Sequence, residues 1–252
     1  MARVGQTGGL GWHLKAWRYR QRLWTGYLQQ THAFLKDWSE QSLEPAGAQR
    51  LIMVGASAGW SLPASWVQSF DELVLIDPDP LAPWLFGRNH PNSEGQHREW
   101  VRRDFRQVLP NLLAGPKSTA VLFNNLLGQL RLTSQDLDAT ESQLAELKTR
   151  LGGAHWASFH DRLSGDWSAA QQSAGAITAE GQIDNARLTK AFAKGGEWLD
   201  HLTADVLPQT SKRWIYPWRI TPDRLHVVEA GWVGDGVAPN AKHLGPLAPD
   251  QV

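Results

Sequence analysis

The chain has 252 residues, of which 25 are basic and 25 acidic, so its formal net charge is zero and supports no general electrostatic grip on nucleic acid, leaving only a local basic patch open. Cysteine is absent, which excludes disulfides, thiolate metal sites and a cysteine nucleophile. A content of 42% hydrophobic and 20% charged residues is that of a globular chain, long enough to bury about 70% of its surface without staples.

Residues 1–11 lack the apolar segment of a secretory signal, and no run of 18 apolar residues follows, so a cytoplasmic protein with no membrane contact is expected. Residues 12–40 read as a helix, with Trp17, Trp24, Tyr27, Leu28, Phe34, Leu35 and Trp38 close to one face. Lys15, Arg18, Arg20 and Arg22 crowd its start. It is either a helix docked on the core with a solvated basic face or a lid or protein-binding helix. Pro45 and Gly47 then mark a loop, so residues 1–46 form an N-terminal helical extension.

Leu51-Ile52-Met53-Val54 is a short apolar run without alternation, the mark of a strand buried on both faces of a parallel sheet. A small-residue turn, 55–59, and a helix over 60–70 follow, with Pro63 in the first helical turn. Leu73-Val74-Leu75-Ile76 is a second strand, stopped by Asp77-Pro78-Asp79-Pro80, and the two strands make a right-handed βαβ unit. Residues 99–103 are a weaker strand and 119–123 a strong one. Ser134 caps a helix over 134–151, which Gly152-Gly153 stop. Residues 155–159 form a further strand, 163–185 an inserted loop or lid, and 186–206 a helix. Residues 213–218 and 225–233 form an antiparallel hairpin around Thr221-Pro222-Asp223, and 234–252 a loose tail. The expected fold is α/β: a doubly wound, mostly parallel seven-stranded sheet with an antiparallel C-terminal hairpin, occupying residues 47–233.

The first strand-to-helix turn is the most informative place. Gly55, Ala56, Ser57, Ala58 and Gly59 let a ligand approach the backbone closely, and the helix beyond offers free N–H groups. Asp77 stands 22 residues after Gly55 at the tip of the next strand, where a carboxylate can accept from both hydroxyls of a ribose. A purely structural glycine turn is the plainer reading of the same residues.

Strand, glycine turn, helix, strand and terminal Asp together resemble the class I S-adenosylmethionine-dependent methyltransferases over roughly residues 48–233. The resemblance implies that Gly55, Ala56, Ser57 and Gly59 wrap the methionine part of S-adenosylmethionine and that Asp77 binds its ribose. It implies that Asp104 and Phe105 meet the adenine and that Asn124 borders the reacting methyl group. Met53 stands where the family often has an acid, and Ser57 replaces the central glycine. Asn124-Asn125-Leu126-Leu127 is not the motif of enzymes that methylate base amino groups, which argues against a nucleic-acid substrate. The acceptor implied is an O or N atom of a small molecule or a partner protein.

The remaining chemistry lies at the later strand ends. His160 is a candidate base or a satisfied structural histidine. Asp161 orients an acceptor amine or caps the next element, and Asn125 and Gln129 hydrogen-bond a substrate or close a turn. Trp60, Trp84 and Trp100 line an aromatic pocket or pack the core. The arginines between Arg88 and Arg106 bind an anionic acceptor or form a solvated mixed face. No His/Asp/Glu set shows ligand spacing on one element, so no metal is expected.

Three other readings compete. Gly55-Ala56-Ser57-Ala58-Gly59 is also a G-x-S-x-G elbow, and Asp161 and His226 follow in hydrolase order, although helix and loop precede the elbow where strands belong. A nicotinamide oxidoreductase lacks the third spacing of its glycine motif. A methyltransferase-like scaffold without activity accommodates Met53 and the absent catalytic motif.

Overall fold

The computed structural model describes residues 9–115, 118–167, 175–192 and 197–234. The apolar runs form β1 (Arg50–Val54) and β2 (Glu72–Ile76), buried along nearly their whole length. β3 (His97–Val101) is an edge strand with part-exposed side chains, and β4 (Thr119–Asn124) is wholly buried. β5 (His155–Asp166) is followed by the short strands β6 (Ile177–Glu180) and β7 (Trp198–Asp200). The hairpin is β8 (Lys212–Thr221) and β9 (Arg224–Val233).

The strands hydrogen-bond in the order β3-β2-β1-β4-β5-β9-β8-β6, with β7 also on β5. The first five are parallel, and the pairs made by β6, β7, β8 and β9 are antiparallel. The register places Met53 between Leu75 and Leu122. Chain order reverses between β1 and β4, so the crevice that takes ligands in doubly wound sheets opens beyond their carboxyl ends.

The fold class is as expected, but among the described residues the sheet has nine strands, not seven. Part of the expected insertion, 163–185, is sheet: β5 runs on to Asp166, and β6 adds to β8. Residues 168–174, the middle of that insertion, and 235–252 of the tail lie outside the described residues. Of the helix expected over 186–206, the described residues show α8 (Asn185–Phe192); 193–196 lie outside them, and from Trp198 the chain is β7, paired with β5, followed by a turn.

The N-terminal helix is two helices, α1 (Gly9–Leu23) and α2 (Thr25–Trp38), ending in a π-helical turn, Ser39–Leu43. They part at Trp24, whose indole N–H donates to Ile220 O at 3.1 Å and draws the chain onto β8. The helix after β1 is only α3 (Ala64–Gln68), with Pro63 just before it. α4 (Ala82–Asn89) and α5 (Phe105–Leu113) follow β2 and β3. A short α6 (Leu130–Thr133) precedes α7 (Leu137–Arg150). Asp136, not Ser134, caps α7 by accepting from Ala139 N–H at 3.0 Å.

Each face of the sheet has its own core. Phe34, Leu35 and Trp38 of α2 pack with Met53, Leu122, Tyr216 and Trp218 on one face. Leu109, Leu144 and Leu147 pack with Ile52, Val54, Phe123 and Trp156 on the other. The aromatic residues of the N-terminal helices are largely spent inward: Tyr27 stacks on Trp218 at 4.5 Å, and Trp24 and Trp38 are buried. Leu10, Leu14 and Trp17 remain exposed on the outside of α1. No described helix is long and apolar enough to cross a membrane.

Candidate functional site

The turn after β1 takes left-handed backbone at Gly55 (φ 78°), Ser57 (φ 48°) and Gly59 (φ 64°). At Gly55 a Cβ would meet Leu126 Cβ at 3.0 Å and Asn124 O at 3.2 Å, so the close approach of the β4 loop requires glycine. At Gly59 a Cβ would run into the His90 imidazole. Ser57 holds the same conformation with a side chain, a strained state that usually sits at a functional turn.

Asp77 organises this turn from the tip of β2. Its Oδ2 accepts from Ser57 N–H at 2.7 Å, and its Oδ1 accepts from Asp79 N–H at 2.8 Å. A carboxylate has about four acceptor positions, so each oxygen keeps one lone pair for a ligand hydroxyl. Burial pushes the Asp77 carboxyl above its ordinary pKa, against the pull of those two N–H groups. Asn124, at the end of β4, donates through Nδ2 to Gly55 O at 2.7 Å and accepts at Oδ1 from the Ser61 hydroxyl at 3.2 Å.

These groups open on a cavity of about 590 Å³, a size that takes a small molecule. Gly55, Ser57, Asp77, Asn124 and Asn125 line one side, and Trp12, Trp24, Tyr27, Trp60 and Trp218 supply an aromatic wall. Asn125 takes left-handed backbone (φ 52°), and its buried Oδ1 has no hydrogen-bond partner among the described residues. Gln129 also lines the cavity, and its Nε2 closes a turn on Asn125 O at 2.7 Å.

Asp79 pins the N-terminal helix over this space. It accepts from Gly9 N–H at 2.6 Å and Leu81 N–H at 2.9 Å, and it meets His13 Nε2 at 3.1 Å. Trp60 Nε1–H donates to His13 Nδ1 at 3.3 Å, which leaves Nε2 as the protonated nitrogen facing Asp79. Burial pushes Asp79 upward, but the Leu81 and Gly9 N–H groups and His13 hold it below its ordinary pKa. The sequence marked Asp79 only as part of a strand stop; its position at the strand tip was the signal for a role.

Gly55, Ser57, Asp77, Asn124 and Asn125 therefore meet at one cavity, while the other expected site residues stand elsewhere. Ala56 is fully buried beneath the turn. Asp104 caps α5, accepting from Arg106 N–H at 2.9 Å and pairing with the Arg106 guanidinium at 2.6 Å. Phe105 packs edge-on against Phe123 in the core. Neither is among the described residues that line the cavity. Of the tryptophans expected there, Trp60 is in place, Trp84 is exposed and Trp100 packs on Phe86.

His160 and Asp161 cannot both face the cavity, because successive side chains of a strand point to opposite faces. His160 points away from it, fully buried, with Nδ1 at 2.8 Å from the Ser158 hydroxyl and Nε2 at 3.3 Å from Glu229. Its burial holds the imidazole below its ordinary pKa, against the pull of Glu229. Glu229 also pairs with Arg213 at 2.7 Å and Arg162 at 2.9 Å. Burial raises the Glu229 carboxyl, but Arg162, His160 and Arg213 together bring it down to about 2.

Asp161 points to the cavity-side face, where it meets His226 of β9 and His201 of the turn after β7. One ligand-type atom from each of the three lies within 4.8 Å of the others. The expectation of no metal-ligand set rested on spacing within single elements, whereas these residues come from three. Asp161 Oδ2 is 3.0 Å from His226 Nδ1 but off the line a hydrogen bond needs. His226 Nδ1 and Asp161 Oδ1 are thus buried without a hydrogen-bond partner among the described residues. Burial pushes Asp161 upward, yet His226 and His201 hold it below its ordinary pKa. His201 is lowered by burial.

The hydrolase reading gains its Asp–His pair and loses its nucleophile. β4 and β5 lie between β1 and β9, three strand spacings or about 14 Å, so His226 is out of reach of Ser57.

No protein-family model matches the chain, and no curated protein matches it. Among solved structures, it is similar to the N-methyltransferase NodS of Bradyrhizobium japonicum in complex with S-adenosyl-L-homocysteine. That match has 11% identity and a TM-score of 0.41, over 86% of this chain and 98% of the other. It is similar to magnesium protoporphyrin IX methyltransferase of Synechocystis, at 11% identity and a TM-score of 0.46, over 86% and 94% of the two chains. The sugar N-methyltransferase KedS8 of Streptoalloteichus matches at 11% identity and a TM-score of 0.39, over 95% and 83%. All three of those proteins are methyltransferases.

Proposed function

We propose that the chain is an S-adenosylmethionine-dependent methyltransferase acting on an O or N acceptor of a small molecule or of a partner protein. The observation that carries this reading is the convergence of the glycine turn and Asp77 on one cavity at the sheet's reversal point. The residues fit the cofactor at two places. Gly55 and Ser57 line the cavity at the strand tip, and Asp77 retains one acceptor position on each oxygen for the two ribose hydroxyls.

When bound, S-adenosylmethionine supplies an activated methyl group on a sulfonium, and the protein's part is position and electrostatics. Asp77 holds the ribose, and Gly55 and Ser57 give the backbone surface on which the rest lies. Asn125 Oδ1, buried and unpartnered, accepts a hydrogen bond from the acceptor's O–H or N–H. The aromatic wall of Trp12, Trp24, Tyr27 and Trp218 excludes water and suits a flat or cationic acceptor.

Calorimetric titration with S-adenosylmethionine and S-adenosylhomocysteine tests the reading. Micromolar binding is expected, weakened by about 1–3 kcal/mol in Asp77→Ala, the scale of hydrogen bonds to a charged group. Unchanged affinity in a folded Asp77→Ala protein would remove the ribose assignment. Failure of the native chain to bind either ligand would leave the scaffold reading.

A further inference from the structure

We propose that Asp161, His201 and His226 form a binding site for one divalent transition-metal ion, beside the cavity and independent of the reaction that takes place there. The donor set is two imidazole nitrogens and one carboxylate, held by β5, β9 and the turn after β7. Their ligand atoms lie within 4.8 Å of one another. Bonds of about 2.0–2.2 Å to a central ion need neighbouring ligand atoms roughly 3.3–3.6 Å apart, so small side-chain rotations close the set.

Hydrogen bonding in the cluster suits an ion better than a proton. Asp161 is 3% exposed, and its Oδ1 has no hydrogen-bond partner among the described residues. His226 Nδ1 is in the same state, although Asp161 Oδ2 lies only 3.0 Å away. His201 is oriented as metal-bound histidines are: Nδ1–H donates to the backbone carbonyl of Gly128 at 2.6 Å, which fixes the tautomer and puts the lone pair on Nε2. Nε2 accepts from the Ser164 hydroxyl at 2.9 Å, a bond that an incoming ion displaces.

The choice of ion follows from the donors. Magnesium and calcium take oxygen cages, and this set has one carboxylate. Two imidazoles and a carboxylate suit zinc and its first-row neighbours, with at least one coordination position left open. The His226 side chain is 16% exposed and gives the ion a way in. Trp218, which walls the cavity, has its ring 5.5 Å from that of His226, so the ion sits behind the aromatic wall.

The test uses the full chain, stripped of metal and titrated with zinc by calorimetry and with cobalt by visible absorption. One ion per chain is expected, with the intense absorption of four- or five-coordinate cobalt. Asp161→Asn and His201→Gln should each weaken zinc binding at least about tenfold while far-ultraviolet circular dichroism stays native. X-ray absorption of the zinc-loaded native protein needs no variant to fold, and it should count two imidazole ligands. Absence of stoichiometric binding, fewer than two imidazoles, or full affinity in both folded variants would overturn the site.

Discussion

Two polar clusters sit on β5 and β9, back to back across the sheet, and they solve burial in opposite ways. On the face away from the cavity, Glu229 matches each carboxylate oxygen to an arginine, Arg213 at 2.7 Å and Arg162 at 2.9 Å. Those arginines spend their other Nη atoms on Ile183 O, Asn185 Oδ1, Leu207 O and Pro208 O. On the cavity side, Asp161, His201 and His226 meet with unpaired atoms between them. The first cluster is charge-matched within its own chain and ties β8, the start of α8 and the segment before β8 to the sheet, with only the Nε atoms of both arginines and His160 Nε2 left without a hydrogen-bond partner among the described residues. The second is left open. Its carboxylate faces two imidazoles and, among the described residues, no paired arginine, a donor set rather than a counter-charge match, so this cluster is where a function outside folding is to be sought.

The largest effect that can break this contrast is on stability. Glu229→Gln should cost about 3–5 kcal/mol in urea unfolding, because two arginines are left buried without their counter-ion. Asp161→Asn should cost no more than about 1 kcal/mol, the size of one ordinary hydrogen bond. Equal losses would show that both clusters are structural.

Acid sharpens the contrast next. The Glu229 carboxyl falls from 4.5 to about 2 on folding, so its contribution is present above pH 4.5 and is lost as pH drops towards 2. His160, held neutral by burial, contributes above its ordinary value of 6.5 and loses that contribution as it is forced to charge in acid. Chemical unfolding followed from pH 7 to pH 3 should therefore show falling stability, and Glu229→Gln should flatten the part below pH 4.5.

The smallest effect should carry the opposite sign. Ser57, on the cavity side, holds a left-handed backbone with a side chain. Ser57→Gly should raise stability by about 0.5–1 kcal/mol, the relief of that conformation less the added freedom of glycine when unfolded. A loss in the same unfolding measurement would mean that the hydroxyl contributes to the fold.

What could be read from sequence divides along the same line. The parallel half was legible because β1, β2 and β4 are unbroken apolar runs, and because Gly55 and Asp77 stand at strand ends where turn chemistry is local. Asp161 and His226 were singled out together, but as partners of Ser57. They do meet, through the pairing of β5 with β9, a contact 65 residues apart in sequence that no local pattern encodes. His201 was hidden by a helical reading of 186–206, because three strand residues after two glycines carry too little periodicity to compete. Asp104 was read for its place after a strand, and an acid there serves equally as a helix cap, which is how Arg106 N–H uses it.

The aromatic wall carries one more consequence. Trp24 and Trp218 lie with ring centroids 5.0 Å apart at 82°, and Trp12 and Trp24 at 6.1 Å and 28°. Indole transitions at such separations couple, and coupled chromophores give a paired band in circular dichroism whose amplitude depends on their mutual angle. Trp12 rides on α1, Trp24 sits at its junction with α2, and Trp218 belongs to β8. The molecule thus carries an unlabelled optical gauge of how α1 is seated on the sheet. A ligand that lifts that helix would change the paired band while the backbone signal stayed fixed.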